Sequence, residues 1–167
     1  MLKRFLAASA AVAISVCAAS AQEVKVGVAL SYTGIGAEFA QQVERGMEQY
    51  LKLNADSVKP YTIKLIKRDT KMPGSADAKV AVQELLTQDN VDVLAGFVYS
   101  PDAFSSGQVV TAGKKLAVIM NAGTAHITLT SPYWVRTSFS MWHSGFPLGE
   151  AAARHLLRSV IEKPEPS

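Results

Sequence analysis

The chain has 167 residues, 49% of them hydrophobic, with 17 basic side chains, 14 acidic ones and a single cysteine. A net charge of +3 with no basic stripe interleaved with aromatics excludes a nucleic-acid partner held by a cationic surface. One cysteine excludes an internal disulfide framework and a thiolate metal site, so stability has to come from a buried core.

The first element is an export signal. Lys3 and Arg4 precede the uncharged run Phe5 to Ala21, which closes on Ala19-Ser20-Ala21, the charged, apolar and small-residue parts of a secretory signal peptide. Cleavage is expected before Gln22. The run is diluted by Ala and Ser and a strand-like segment follows it directly, so no membrane anchor is expected. Lipidation at Cys17 is the alternative, but Val16 occupies the preceding position, where a small residue is wanted. Loss of Lys3 and Arg4 leaves 15 basic groups against 14 acidic ones, a net charge of +1. The remaining 146 residues suffice for one domain that buries roughly 68–70% of its unfolded surface.

Val24 to Leu30 bunches β-branched and apolar residues as a strand buried on both faces does. The loop Ser31 to Gly36 follows, and Phe39, Val43, Met47, Tyr50 and Leu51 recur at helical spacing through about Asn54. Tyr61 to Lys67 alternates as a second strand, stopped by Arg68-Asp69. The loop Thr70 to Gly74 leads to Ser75, a candidate cap for a helix carrying Ala78, Val82, Leu85 and Leu86. Val91 to Phe97 is a third strand, Asp102 to Gly113 a third helix, Leu116 to Met120 a fourth strand and Tyr133 to Thr137 a fifth. Gly145 to Leu157 is a final helix, and Glu162 to Ser167, with Pro164 and Pro166, reads as a frayed tail. Strands alternating with helices predict an α/β fold, a Rossmann-like parallel sheet flanked by helices. Ligands of such sheets sit beyond the carboxyl ends of the strands. The loops at 31–36, 69–74, 99–102 and 121–128 are therefore the ones that can carry a site.

Several chemistries fail on spacing. Gly34-Ile35-Gly36 lacks the third glycine of a dinucleotide loop, because Phe39 stands there, and Asp69 falls 33 residues after Gly36 instead of the ~20 a ribose-binding acid needs. His126, His143 and His155 show no i, i+4 spacing, so no metal is expected. No G-x-S-x-G elbow surrounds Ser100, Ser105 or Ser106, and no enzyme activity or cofactor is expected. What remains is Ser100 after the third strand and Ala122-Gly123-Thr124 after the fourth. Small residues expose backbone N–H groups and hydroxyls add adjustable donors, which suits capture of a carboxylate. The plainer alternative is that they make turns and caps. Phe39 and Tyr99 are candidate apolar walls, although an aromatic at helical spacing, as Phe39 is, also suits the core.

Val24-Lys25-Val26-Gly27 through Thr33-Gly34, Gly46, Arg68-Asp69, Gly96 with Ser100, Ala122-Gly123-Thr124-Ala125 and Val135-Arg136-Thr137 together resemble the leucine/isoleucine/valine-binding family of type I periplasmic receptors. The resemblance spans nearly all of residues 24 to 158. It implies two Rossmann-like lobes that close on a solute and deliver it to the permease of an ABC importer. It also implies that Ser100, Ala122 and Thr124 hold the carboxylate and α-amino region of the ligand, with Tyr99 and Phe39 as pocket neighbours. Two departures qualify the implied ligand and the implied extent. Ser140-Met141-Trp142-His143 offers no carboxylate for a ligand ammonium, so aromatic or other organic acids stand beside branched-chain amino acids. The sequence also ends after what resembles the opening helix of the second lobe. The expected division is thus a signal peptide over 1–21, an incomplete first lobe over 22–137, and a crossover with the first helix of a truncated second lobe over 138–167. A sensory ligand-binding module built on the same lobes remains an alternative to transport, and a nucleotide-dependent enzyme is the competing class.

Overall fold

The computed structural model describes residues 22–161, and for the last turns of the final helix the side chains of Leu157 and 159–161 are not described. The expected signal peptide and the expected frayed tail lie outside the described residues. Five strands form one parallel sheet: β1 (Gln22–Leu30), β2 (Tyr61–Asp69), β3 (Val93–Gly96), β4 (Leu116–Ile119) and β5 (Trp134–Arg136), in the order β2-β1-β3-β4-β5. Four helices connect or follow them: α1 (Ala37–Leu53), α2 (Ala76–Thr87), α3 (Ser100–Gly113) and α4 (Met141–Ile161). All the strands and helices read from the sequence are present. The order reverses between β1 and β3, which makes the carboxyl ends of these central strands the natural place for a crevice.

The period of two along β1 assigns its residues to two cores. Val28 and Leu30 pack with Ala40 of α1, and Val26, Val43, Met47 and Leu65 extend that layer. Ala29 faces the other way, into a larger core with Val82 and Leu85 of α2, Ala103 and Val110 of α3, and Leu94, Ala117, Ile119 and Trp134 of the sheet. Small residues on the buried side of α2, Ala78 and Ala81, let that helix lie close to its neighbours. At about 25 cal/mol per Å² of apolar surface removed from water, these two layers supply most of the driving force for folding.

Several boundaries shift by a few residues from the periodicity, and two of the shifts have a local electrostatic reason. β2 continues through Arg68 and Asp69, which pair with Ala29 and Leu30 of β1. Charges are tolerated there because Arg68 meets Asp89 at 2.8 Å, and Asp69 accepts the Tyr32 N–H, the Thr33 hydroxyl and the Lys71 N–H, each at 2.8 Å. Burial pushes the Asp69 carboxyl up, but the three donors prevail and hold it below the ordinary carboxylate range. α4 begins at Met141 rather than Gly145, and Pro147 sits inside it. Its start is fixed by His143, whose Nδ1 accepts the Ser140 N–H at 3.2 Å and lies 2.8 Å from the Ser140 hydroxyl, doing the work of a capping-box acid.

Gly96 ends β3 at φ +122°, and a Cβ there would stand 2.2 Å from the Ala29 carbonyl oxygen. Phe97 follows at φ +59° and donates its N–H to that same oxygen at 3.0 Å. A non-glycine residue in the left-handed region costs of order 1–3 kcal/mol and persists only where packing holds it. Here the ring of Phe97 stands edge-on to Trp134 at 4.8 Å between centroids, in the middle of the larger core. Gly96→Ala is expected to cost about 3 kcal/mol or more in urea unfolding, since both the dihedral and the close approach forbid a side chain. A loss below about 1 kcal/mol would show that β1 and β3 can separate at this point without penalty.

Candidate functional site

The parallel register of β3 and β4, Gly96 opposite Ile119, sends both strands out of the sheet at the same level. Their two loops then bind each other. Ala122 N–H donates to the Phe97 carbonyl at 2.9 Å, and the Asn121 side-chain amide donates to the Val98 carbonyl at 3.2 Å. Ser100, the first residue of α3, accepts two hydrogen bonds on its hydroxyl oxygen: the Thr124 N–H at 3.2 Å and the Thr124 hydroxyl at 2.9 Å. A serine oxygen has two acceptor sites, so the capacity left to Ser100 is to donate its own proton. Gly123, in the loop after β4, accepts the Met141 N–H at 2.7 Å, and its own N–H has no partner among the described residues.

These contacts frame a cleft of about 500 Å³. Its sheet side is lined by Val98, Tyr99, Ser100, Pro101, Asn121 and Gly123, and its far side by Phe139, Ser140, Met141 and Ser144 from the segment that turns back over the strand ends. A Cβ on Gly123 would come within 2.9 Å of Met141 Cγ, so the glycine sets how closely the two sides approach. The cleft holds amide and hydroxyl donors and apolar walls. Among the described residues lining it there is no carboxylate.

Arg136, at the end of β5, lies behind the loop after β4. Its guanidinium donates to the carbonyls of Ala122 and Thr124, the latter at 2.6 Å. The neighbouring loop after β2 is fixed from the opposite side by Asp102, which is buried. Its carboxylate accepts the Gly74 N–H at 2.7 Å and the Thr70 hydroxyl at 3.3 Å, and Thr70 in turn meets Ser31 at 2.9 Å. Burial pushes the Asp102 carboxyl above the ordinary carboxylate range, against the pull of those two donors.

Of the residues singled out from the sequence, Ser100, Gly123 and Tyr99 line the cleft, and Thr124 is bonded to Ser100. Ala122 is buried just behind, holding the loop to Phe97. Phe39 is half-exposed on α1 and is not among the lining residues. Asn121, Phe139, Ser140, Met141 and Ser144 carry no motif. What brings them there is the path of the chain, which turns back from the carboxyl end of β5 over the ends of β3 and β4. The glycine pair that invites a dinucleotide reading forms a short 3-10 turn, and a Cβ on Gly36 would stand 2.7 Å from that of Ser31. Close packing accounts for Gly36.

A family model described as periplasmic binding protein matches residues 23–160. Among curated proteins, a Leu/Ile/Val-binding protein homolog 6 of Brucella abortus is 34% identical over 161 residues, 96% of this chain and 41% of the relative. The chain thus spans about 41% of the length of the curated relatives it matches. Among solved structures, a solute-binding protein of an ABC transporter from R. palustris in complex with 4-hydroxybenzoate is 31% identical with a TM-score of 0.74, over 80% of this chain and 36% of that one. A second, from Rhodopseudomonas palustris BisB5 in complex with 3,4-dihydroxybenzoic acid, is 35% identical with the same TM-score and coverage. A leucine-binding protein from Thermotoga maritima, 20% identical with a TM-score of 0.71, covers 80% of this chain and 37% of its own, and shares the fold.

The raised carboxyl of Asp102 has a consequence for stability. A folded-state value above the unfolded one means that the carboxyl favours the fold most when protonated, below the unfolded value, and that this contribution is lost as pH rises through the folded value. Asp102→Asn keeps an acceptor for Gly74 without the buried charge. It is expected to be at least as stable as the parent at pH 7, the advantage shrinking towards pH 4, as read from urea midpoints. Asp102→Ala leaves the Gly74 N–H unpaired and is expected to cost about 1–3 kcal/mol throughout. An Asn variant less stable at pH 7 than at pH 4, relative to the parent, would show the charge to be favourable.

Proposed function

The chain belongs to the periplasmic binding protein family, and from that premise we propose that it forms the carboxylate-holding lobe of a solute receptor. In this reading it works in the periplasm, captures a small organic anion and presents it to the permease of an ABC importer. No bond is made or broken. The observation that carries the reading is the state of Ser100: both acceptor sites of its oxygen are taken by Thr124, so it meets a ligand as a donor. The unpartnered Gly123 N–H beside it adds a second donor. Two donors at one rim fit the two oxygens of a carboxylate, and charge-assisted hydrogen bonds of this kind are roughly twice as strong as neutral ones.

Between the two ligand classes, the cleft favours an aromatic acid. An α-amino acid brings an ammonium that must be paired when it is taken out of water. No carboxylate lines the cleft among the described residues to meet it, whereas Tyr99, Phe139 and Met141 present flat or adaptable apolar surface. The R. palustris proteins of similar fold were solved with hydroxybenzoates, which supports the same class. Branched-chain amino acids are the second reading, supported by the description of the Brucella relatives.

Titration calorimetry and amide chemical-shift mapping with 4-hydroxybenzoate, 3,4-dihydroxybenzoate, leucine and valine test this. A cleft walled as this one is cannot enclose the 70–90% of ligand surface that tight sites bury, so dissociation constants of about a millimolar are expected, with the hydroxybenzoates ahead of the amino acids. Ser100→Ala should weaken the hydroxybenzoates by about tenfold, the worth of one hydrogen bond to a charged group. Leucine or valine binding more tightly than the aromatic acids would move the assignment to amino acids. No shift at Ser100, Gly123 or Thr124 with any of the four would end the carboxylate reading.

A further inference from the structure

We propose that Arg136 is the positioning residue of the carboxylate site, and that it acts by aiming and polarising the Gly123 N–H. The inference rests on the carboxylate reading above and adds to it a residue that does not line the cleft. In a trans peptide the C=O and the following N–H point in opposite directions. The guanidinium of Arg136 holds the Ala122 carbonyl, so the N–H on the other side of that peptide unit, Gly123's, is turned away from the arginine. Gly123 lines the cleft, and its N–H donates to no described residue. The Thr124 carbonyl, held by the same guanidinium at 2.6 Å, fixes the far end of the same short loop. Between the two anchors, the Thr124 N–H and hydroxyl both donate to Ser100.

Two properties of arginine suit this task. Its planar fork reaches two carbonyls at once, which a lysine ammonium on a flexible stem does not reproduce with the same geometry. A hydrogen bond accepted by a carbonyl also strengthens the donor on the other end of its peptide, because chained hydrogen bonds polarise one another. No carboxylate forms an ion pair with Arg136 among the described residues. Its charge therefore acts on the two peptide units that build the rim. The β4–β5 pairing sets Arg136 opposite Ile119, at the level where the loop begins, so the reach of the side chain matches the loop it holds.

The test uses the full chain, labelled with nitrogen-15, as parent, Arg136→Lys and Arg136→Gln. In the free proteins, the Thr124 N–H is expected to be protected from hydrogen exchange in the parent and to lose at least tenfold of that protection in both variants. The core amides of Leu94 and Ala117 should keep theirs. On titration with 4-hydroxybenzoate, the parent Gly123 N–H should move downfield while the neutral 4-hydroxybenzyl alcohol leaves it in place. Arg136→Lys should bind the acid at least tenfold more weakly although it keeps the charge. A lysine variant that matches the parent in both readouts would overturn the proposal, as would loss of folding in both variants, which would make Arg136 a determinant of the fold. If no rim amide of the parent responds to the acid, the carboxylate reading fails by itself. The exchange of Thr124 then decides the positioning role: protection kept in the variants overturns it, and protection lost supports it.

Discussion

The rim depends on the lateral pairing of β3 with β4, because a Ser100 hydroxyl can accept both donors of Thr124 only if two strands leave the sheet at one level. Parallel pairing of Gly96 with Ile119 sets that level. The absence of a side chain at Gly96 lets β3 reach it while pressed against Ala29 of β1. From there the chain turns through the left-handed backbone of Phe97, whose ring is pinned on Trp134 of β5. The strain of that turn is held by the core on one side, and on the other the turn delivers Ser100 to the first position of α3. Core packing and site geometry are thus one constraint: what relaxes Phe97 would also move Ser100.

The sequence made the sheet legible because buried parallel strands and their helices carry strong periodic signals. Ser100, Ala122, Gly123 and Thr124 stand out as small and hydroxyl residues at strand ends, a pattern that turns and caps share, and the family resemblance is what points to them as candidate ligand contacts. Cooperation between residues distant in sequence left no such trace. Arg136 reads as a charged residue ending a short strand, and only the fold shows its fork on the carbonyls of Ala122 and Thr124. Met141 stands out in the sequence only as part of a stretch that lacks a carboxylate, and the path of the chain after β5 is what sets it, with Phe139, across the cleft from Gly123. The start of α4 at Met141, upstream of the expected Gly145, is hard to read because no acid stands at the capping-box position after Ser140, and His143 takes that role instead.

The exposed surface of α4 differs from that of the other helices. Trp142, Phe146 and Leu148 are largely exposed, with the rings of Trp142 and Phe146 stacked at 5.4 Å. Water meets all of the described residues of this helix from Met141 to Leu156. Apolar surface of this kind stabilises nothing until something covers it. Within the described residues its firm attachment is at its first turn, through the Met141 N–H on the Gly123 carbonyl.

The placing of charge around the cleft argues for the sign of the ligand. Asp69 and Asp102, the acidic residues at the loops after β2 and β3, are both turned away from the cleft and spent on backbone N–H groups: Tyr32 and Lys71 for one, Gly74 for the other. Arg136 is spent the opposite way, on carbonyls. Each charged side chain thus consumes backbone groups of complementary polarity, and what each leaves behind differs. The acids tie up donors in loops to the side of the cleft. The arginine ties up two acceptors in the loop that forms it, the carbonyls of Ala122 and Thr124, and the Gly123 N–H between them stays free to face a ligand. With two carbonyls of that loop engaged, an incoming amine meets fewer acceptors there, which supports the anionic ligand proposed above.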